Sequence, residues 1–179
     1  MKYSVLKATV VGLFVLGVMG GAVRAQDYDG CSDSTLKGDY GFTLAGQILN
    51  KDGTISTRNG VAMTHFEGNG KLSQIDYVMT LTPGGMSPGG IDLTPAFRTN
   101  ETGTYHVNPD CTGTAEIDFP APPGAASGAV IKLIFVLSNH GRTIHTVVTS
   151  LTPPGAPGPV PAVIHSDGWK LGAVPEERD

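Results

Sequence analysis

The stretch that decides the fold is VAMTHF-EGNG-KLSQIDYVMTL, residues 61–81. Its centre, Glu67–Gly70, holds two glycines and an asparagine, which is typical of a tight connection between two strands. The second arm divides into an apolar face and a polar face, with Ile75, Tyr77, Met79 and Leu81 on the first and Gln74, Asp76 and Thr80 on the second. This period of two residues predicts an antiparallel hairpin whose apolar face packs toward the core.

Outward from this hairpin, glycine and proline interrupt the chain about every eight to twelve residues, and no stretch has a sustained helical period. Further strands are predicted at residues 36–44, 103–107, 112–119, 129–137, 143–151 and 162–171. Turns are predicted at residues 50–53, 59–60, 108–111 and 138–142, and loops rich in glycine or proline at 83–90, 120–127 and 152–161. The segment 91–99 is ambiguous.

The fold class that follows is all-β. The short connections favour antiparallel pairing of about eight to ten strands. A single sheet of that size would leave an apolar face and two edges in water, so it must close or stack. We expect an up-and-down antiparallel barrel, with a two-sheet sandwich as the alternative.

The first 25 residues have the pattern of a secretory signal peptide. Lys2 and Lys7 precede the apolar run Ala8–Val23, and Val23 and Ala25 place small residues before a cleavage site. The alternative, a transmembrane anchor, needs about 20 apolar residues, more than this run provides. We therefore expect residues 1–25 to be removed, residues 26–175 to form one β domain, and residues 176–179 to form a frayed acidic tail.

Charge and location follow from that cleavage. The leader contains three basic residues and no acidic one, so its removal changes the formal net charge from −4 to −7. An acidic chain whose basic residues are scattered lacks the positive surface that phosphate backbones require. We expect no nucleic-acid partner, no membrane anchor after cleavage, and a secreted or periplasmic location in a bacterium.

Two cysteines, Cys31 and Cys111, remain after cleavage. Export would place them in an oxidising compartment, where a disulfide is the ordinary outcome. The alternatives, a metal ligand or a catalytic thiol, would need partner residues that the sequence does not make apparent. We predict a disulfide.

No motif specifies a reaction. The sequence has neither a Gly-x-Ser-x-Gly elbow nor a Cys-x-x-Cys motif, and we expect no cofactor. Weak catalytic candidates are Tyr77, His106 and Glu116, and we expect the carboxylates of Asp76 and Glu116 to point outward. His140 and His145 flank a turn and are the best candidates for a metal site, although we expect none. Core packing explains most aromatic residues; the candidates to line a ligand pocket instead are Tyr40, Phe42, Tyr77 and Tyr105.

Several spans resemble a group of small exported bacterial proteins of unknown function. They are Cys31–Ser32, Leu36–Phe42, Phe66–Leu72 and Thr102–Ala115, of which the last is the most specific. The resemblance implies an exported β domain in which the two cysteines are paired, and it implies no activity.

The size, the strand spacing and the early Gly38-x-Tyr40-Gly41-Phe42 strand also resemble, more loosely, the calycin-like barrels. These include lipocalins, allene oxide cyclases and dirigent proteins. Relative to such a barrel the proline-rich segment 152–161 looks like an insertion. A likeness of fold does not carry function.

We expect a non-catalytic exported domain that binds a small apolar molecule or another component of the cell envelope. A cyclase or isomerase that acts by shaping its substrate in a cavity is one alternative. A structural surface protein is the other.

Overall fold

The computed structural model describes residues 30–82, 85–86 and 97–172. The predicted leader (1–25), the predicted tail (176–179) and most of the stretch 83–96 lie outside the described residues. A 3₁₀ helix, Asp33–Thr35, precedes nine strands: β1 (Lys37–Leu49), β2 (Ile55–Glu67), β3 (Lys71–Thr82), β4 (Gly85–Met86), β5 (Arg98–Val107), β6 (Thr112–Asp118), β7 (Val130–Ser138), β8 (Thr143–Thr152) and β9 (Ala162–Lys170). No helix in this part of the chain has the length and apolarity needed to cross a membrane.

Eight of these strands close into an antiparallel barrel. From β1 to β3, and again from β5 to β9, each strand pairs with the next one in the sequence. β3 pairs with β5, and β9 pairs back with β1 to close the ring. The short β4 pairs with the last two residues of β3, Leu81 and Thr82. The predicted all-β, up-and-down barrel is confirmed.

The two ends of the barrel differ in their connections. Tight turns at 68–70, 108–111 and 139–142 join the strands at one end, which we call the closed end. The 3₁₀ helix lies at this end as well, because β1 begins there. At the opposite loop end, strands are joined by residues 50–54, 83–97, 119–129 and 153–161. Long connections are therefore confined to one opening of the barrel.

Buried aromatic residues fill the closed end. Tyr40 and Tyr105 each meet the ring of Phe66 edge to face, with centroid distances of 5.3 Å and 5.1 Å. The Tyr40 hydroxyl donates to the carbonyl of Gly141 at 2.6 Å. Edge-to-face rings whose hydroxyls have partners are a stable way to fill a core.

The disulfide Cys31–Cys111 fastens the 3₁₀ helix to the turn between β5 and β6. The two Cα atoms lie 4.9 Å apart, across a sequence separation of 80 residues. The Tyr105 hydroxyl lies 2.9 Å from the carbonyl oxygen of Leu36, and Asp33 accepts a hydrogen bond from the backbone of Val107 at 2.7 Å. The predicted disulfide is confirmed, and it closes the end of the barrel that holds the tight turns.

Two sequence predictions were wrong. The predicted turn at Asn59–Gly60 lies inside β2, where Gly60 pairs with both Leu44 and Val78. A Cβ atom on Gly60 would lie 2.5 Å from the carbonyl oxygen of Tyr77, so the glycine serves a close approach of strands and not a turn.

The predicted faces of β3 are inverted. Asp76 is 2 % exposed, whereas Met79 and Leu81 are 47 % and 56 % exposed. The reason is that charged and polar side chains meet inside the barrel next to β3. The face with Gln74 and Asp76 therefore points inward, and the face with Met79 and Leu81 forms part of the outer wall. The same inversion makes the expectation of an outward Asp76 wrong.

Candidate ligand-binding site

The interior of the barrel is mostly apolar, and its charged side chains come from one side, β2, β3 and β5. Side chains from β6, β7, β8 and β9 supply an apolar wall, which includes Ile117, Leu133, Phe135, Ile144 and Ile164. β2 and β3 contribute Arg58, Thr64, Gln74 and Asp76. Between the two walls lies an inner chamber of about 100 Å³.

A larger cavity, which we call the mouth, opens at the loop end. Its volume is about 510 Å³, and its walls include Phe97, Glu101 and Leu151 together with residues of the loops 119–129 and 153–161. Arg58, Arg98 and Phe119 line both the mouth and the inner chamber. These three side chains therefore mark the junction between the two spaces.

Four charged residues meet at this junction, and we call Arg58, Asp76, Arg98 and Glu101 the junction cluster. Arg98 binds Asp76 with two hydrogen bonds, one from Nε to Oδ1 at 2.7 Å and one from Nη2 to Oδ2. The same Nε lies 3.8 Å from Oε1 of Glu101. Paired donors on one carboxylate make a strong and well-oriented ion pair.

Polar neighbours extend the cluster along β2 and β3. Thr64 donates from Oγ1 to Gln74 Oε1 at 2.8 Å, and Gln74 donates from Nε2 to Glu101 Oε2 at 2.9 Å. Glu101 is 1 % exposed. A buried carboxyl is thus held from one side by a chain of neutral donors.

A β-bulge brings Arg98 and Glu101 into the interior together. Residues three apart on a regular strand face opposite sides. Between the pairs Gln74–Glu101 and Asp76–Arg98 the register of β3 and β5 shifts, and Asn100 has a positive φ of 66°. Bulges commonly re-aim side chains in this way, and here the bulge creates the junction cluster.

The burial of the cluster changes the protonation of its members. Burial, together with the nearby carboxylate of Asp76, raises the pKa of Glu101 to about 8. Burial also lowers the pKa of Arg58, and the positive charge of Arg98 adds to that effect. Burial opposes the charge of Arg98, yet its hydrogen bonds to Asp76 raise its pKa overall. At neutral pH, Glu101 is therefore mostly protonated and Asp76 holds Arg98.

Two buried polar atoms of the cluster lack a hydrogen-bond partner among the described residues. They are Nε of Arg58 and Oε1 of Glu101. Native proteins leave few such atoms, and those they leave are often found where a ligand or water binds. Both atoms belong to side chains that line the mouth.

The structure does not bring the three catalytic candidates together. Tyr77 lies on the outer wall, where its ring contacts Phe97 at 6.3 Å. His106 is exposed and lies 3.4 Å from Asp33 at the closed end. Glu116 pairs with Lys132 at 2.9 Å on the outer wall, as expected for an outward carboxylate.

The four aromatic candidates for ligand binding also lie in different parts of the barrel. Phe42 lines the inner chamber. Tyr40 and Tyr105 are buried in the packed closed end. Tyr77 lies outside the barrel.

The two histidines proposed for a metal lie at and beside the turn between β7 and β8. His145 contacts Asp167 through Nδ1 at 2.7 Å, and its Nε2 lies 3.5 Å from Oγ of Ser138. Asp39 and His65 repeat this 2.7 Å contact on β1 and β2, so we interpret it as a cross-strand pair of the exposed wall. The described residues hold no group of three or more metal-ligating side chains.

Sequence reasoning missed Arg58, Arg98 and Glu101. Arg58 shares the inward face of Thr64 and Phe66, but the false turn at Asn59–Gly60 interrupted the alternation. Glu101 has the same parity as Tyr105, which could have placed it inside. Only the bulge places Arg98 inside, and no local pattern predicts it.

No protein-family model, curated protein or solved structure matches the chain.

Proposed function

We propose that this domain binds a small, mainly apolar molecule that enters the barrel at the loop end. The observation that carries this proposal is a pair of adjoining cavities, in which a mouth of about 510 Å³ shares Arg58, Arg98 and Phe119 with an inner chamber of about 100 Å³. Binding pockets for small molecules are typically concave, mostly apolar, and furnished with a few polar groups, with volumes of roughly 300–1,000 Å³. The mouth falls in that range, whereas the inner chamber alone does not.

The polar groups support the same proposal. A barrel that served only as a structural element would be expected to fill its interior with apolar side chains. Here four charged residues face the cavity. The carboxyls of Asp76 and Glu101 are buried, Arg58 is half-buried, Arg98 is 53 % exposed, and two of their polar atoms are buried without a partner among the described residues. The structural alternative therefore has less support than ligand binding.

A pair of matched substitutions tests the proposal. Ala115 lines the inner chamber from β6, while its neighbour Thr114 is exposed on the outer wall. The neutral apolar dye N-phenyl-1-naphthylamine should bind the wild-type protein with enhanced fluorescence. The variant Ala115→Leu fills the chamber and should weaken binding about tenfold, equivalent to about 1.4 kcal/mol, whereas Thr114→Leu should not.

Circular dichroism must show that both variants remain folded. A dye that does not bind would contradict a ligand site inside the barrel, and a dye that binds all three proteins equally would contradict a site that reaches the inner chamber.

Proton-transfer catalysis is a second candidate, and Glu101 is the observation that favours it. A carboxyl with a pKa of about 8 beside a cavity can donate or accept a proton near neutral pH. Glu101→Gln keeps the shape of the side chain without its titration. The assay follows, by NMR in deuterated water, the exchange of hydrogen at the α-carbon of a ketone. If the protein catalyses proton transfer through Glu101, the wild type should accelerate this exchange and Glu101→Gln should not. A binding protein would show no such activity in either form.

We also infer that the chain is exported. The Cys31–Cys111 disulfide is typical of proteins from oxidising compartments, and the sequence of residues 1–25 has the pattern of a leader. N-terminal sequencing of protein recovered outside the cytoplasm should begin at Gln26. An intact N-terminus would contradict this inference.

A further inference from the structure

Only one of the two arginines in the junction cluster is ion-paired among the described residues. Asp76 is engaged by both donors of Arg98, at 2.7 Å for the Nε bond. Glu101 accepts from the neutral amide of Gln74 and lies farther from Arg98, at 3.8 Å. Both carboxylates are thus engaged by Arg98, and no salt bridge among the described residues includes Arg58, so Arg58 is the cation left over.

The position of Arg58 is unusual for an unpaired cation. It lies near the start of β2, paired with Gly46 of β1 and Thr80 of β3, so its backbone is fixed in the barrel wall. Its Nε is buried and has no hydrogen-bond partner within the described part of the chain. The residue as a whole is half-buried, and a charge partly removed from water is stabilised by an opposite charge beside it.

The surroundings of Arg58 suit an amphipathic ligand. On one side lies the inner chamber with its apolar wall, and on the other lies the mouth with Phe119, Leu151 and Pro153. The unpartnered Oε1 of Glu101 lines the same mouth. An acidic group placed at the junction would meet the guanidinium of Arg58, with apolar surface on either side.

We infer that the ligand carries one carboxylate, which binds Arg58 at the junction while the apolar remainder fills the chamber or the mouth. This inference rests on the proposed function. Guanidinium is the side chain best suited to recognise a carboxylate, because its planar donors match the two oxygens. Selectivity for an acid over an alcohol or an amine of equal length should follow.

Three ligands that share one alkyl chain test the inference. Octanoate, 1-octanol and octylamine are each used to displace N-phenyl-1-naphthylamine from the wild-type protein and from Arg58→Gln. Octanoate should displace the dye at least about tenfold more strongly than 1-octanol, and octylamine should be the weakest because it would add a cation. In Arg58→Gln the advantage of octanoate over 1-octanol should disappear.

The matched control is Arg142→Gln, which removes an exposed arginine at the closed end and should leave all three ligands unchanged. If Arg58→Gln does not fold, an NMR titration of octanoate labelled with carbon-13 at the carboxylate gives a second measurement on the wild-type protein. The bound carboxylate should titrate at lower pH than the free acid.

The outcomes separate the two proposals. Failure of the dye and of all three ligands to bind would overturn the proposed function. Equal displacement by octanoate and 1-octanol, with no effect of Arg58→Gln, would overturn the carboxylate alone and leave apolar binding intact. An unshifted titration of bound octanoate would also overturn it.

Discussion

At the scale of single residues, Glu101 gives the stability of the barrel a distinctive dependence on pH. Its pKa rises from an ordinary value of 4.5 to about 8 in the folded protein. The folded state therefore holds this proton more tightly than the unfolded state does. The contribution is fully present below pH 4.5 and is lost as the pH rises from there through about 8.

The variant Glu101→Gln should remove this loss. Its free energy of unfolding should exceed that of the wild type by about 1–3 kcal/mol at pH 8 and above, with the two converging at low pH. Urea unfolding at pH values between 5 and 9 measures the difference. Glu116→Gln, which alters an exposed carboxylate on the outer wall, is the control. Parallel pH profiles for Glu101→Gln and the wild type would contradict the assignment.

A second prediction about a single residue concerns Gly168. A Cβ atom at this position would lie 2.4 Å from the ring of Phe42, which lines the inner chamber. Gly168→Ala should therefore destabilise the protein by about 1–3 kcal/mol through overpacking. Gly158→Ala is the control, because no atom lies within 4 Å of its added Cβ. Thermal unfolding of both variants measures the effect, and equal melting temperatures would refute it.

At the scale of elements, the 3₁₀ helix depends on the disulfide for its place at the closed end. The double variant Cys31→Ala/Cys111→Ala should lose about 2–4 kcal/mol of stability, because an 80-residue separation is no longer bridged. Hydrogen exchange should increase at Leu36 and Val107, and less on β3 near the mouth. Urea unfolding with intact-protein mass spectrometry measures both the stability and the thiol content. Unchanged stability would show that the remaining hydrogen bonds suffice.

The elements are also where sequence reasoning succeeded and failed. Turn residues such as Glu67–Gly70 and the alternation of Tyr40 and Phe42 on β1 are local signals, and they predicted strands close to those observed. The inward face of β3 depends instead on what lies across the barrel. The polar face of β3 is the buried one, because it contributes to the charged part of the interior. The alternation of β3 was therefore predicted correctly, but the buried face was assigned wrongly.

The junction cluster shows a further limit. Arg98 and Glu101 share the interior because Asn100 adopts a φ of 66° and shifts the register of β5. Such a bulge depends on pairing with β3, which is distant in sequence. Asp76 was noticed as a charged strand residue, but its partners could be identified only from the folded barrel.

At the scale of the whole molecule, closure of the ring between β1 and β9 was predictable and the cavity was not. Closure follows from the number of short antiparallel strands, which must hide their edges. Whether the interior is filled depends on side-chain volumes such as those of Ala115 and Phe135, summed over all strands. The resemblance to exported bacterial β proteins and the analogy with calycin-like barrels stay predictions.

Because the short turns lie at one end of the barrel and the long loops at the other, the two ends should differ in how well they tolerate changes of sequence. The loops 119–129 and 153–161 contribute residues to the opening, whereas the disulfide and the aromatic packing secure the opposite end. Surface connections tolerate replacement far better than strands do. Libraries that exchange these two loops would therefore vary the lining of the opening while the base preserves the strand register, which makes the barrel a scaffold suited to directed evolution.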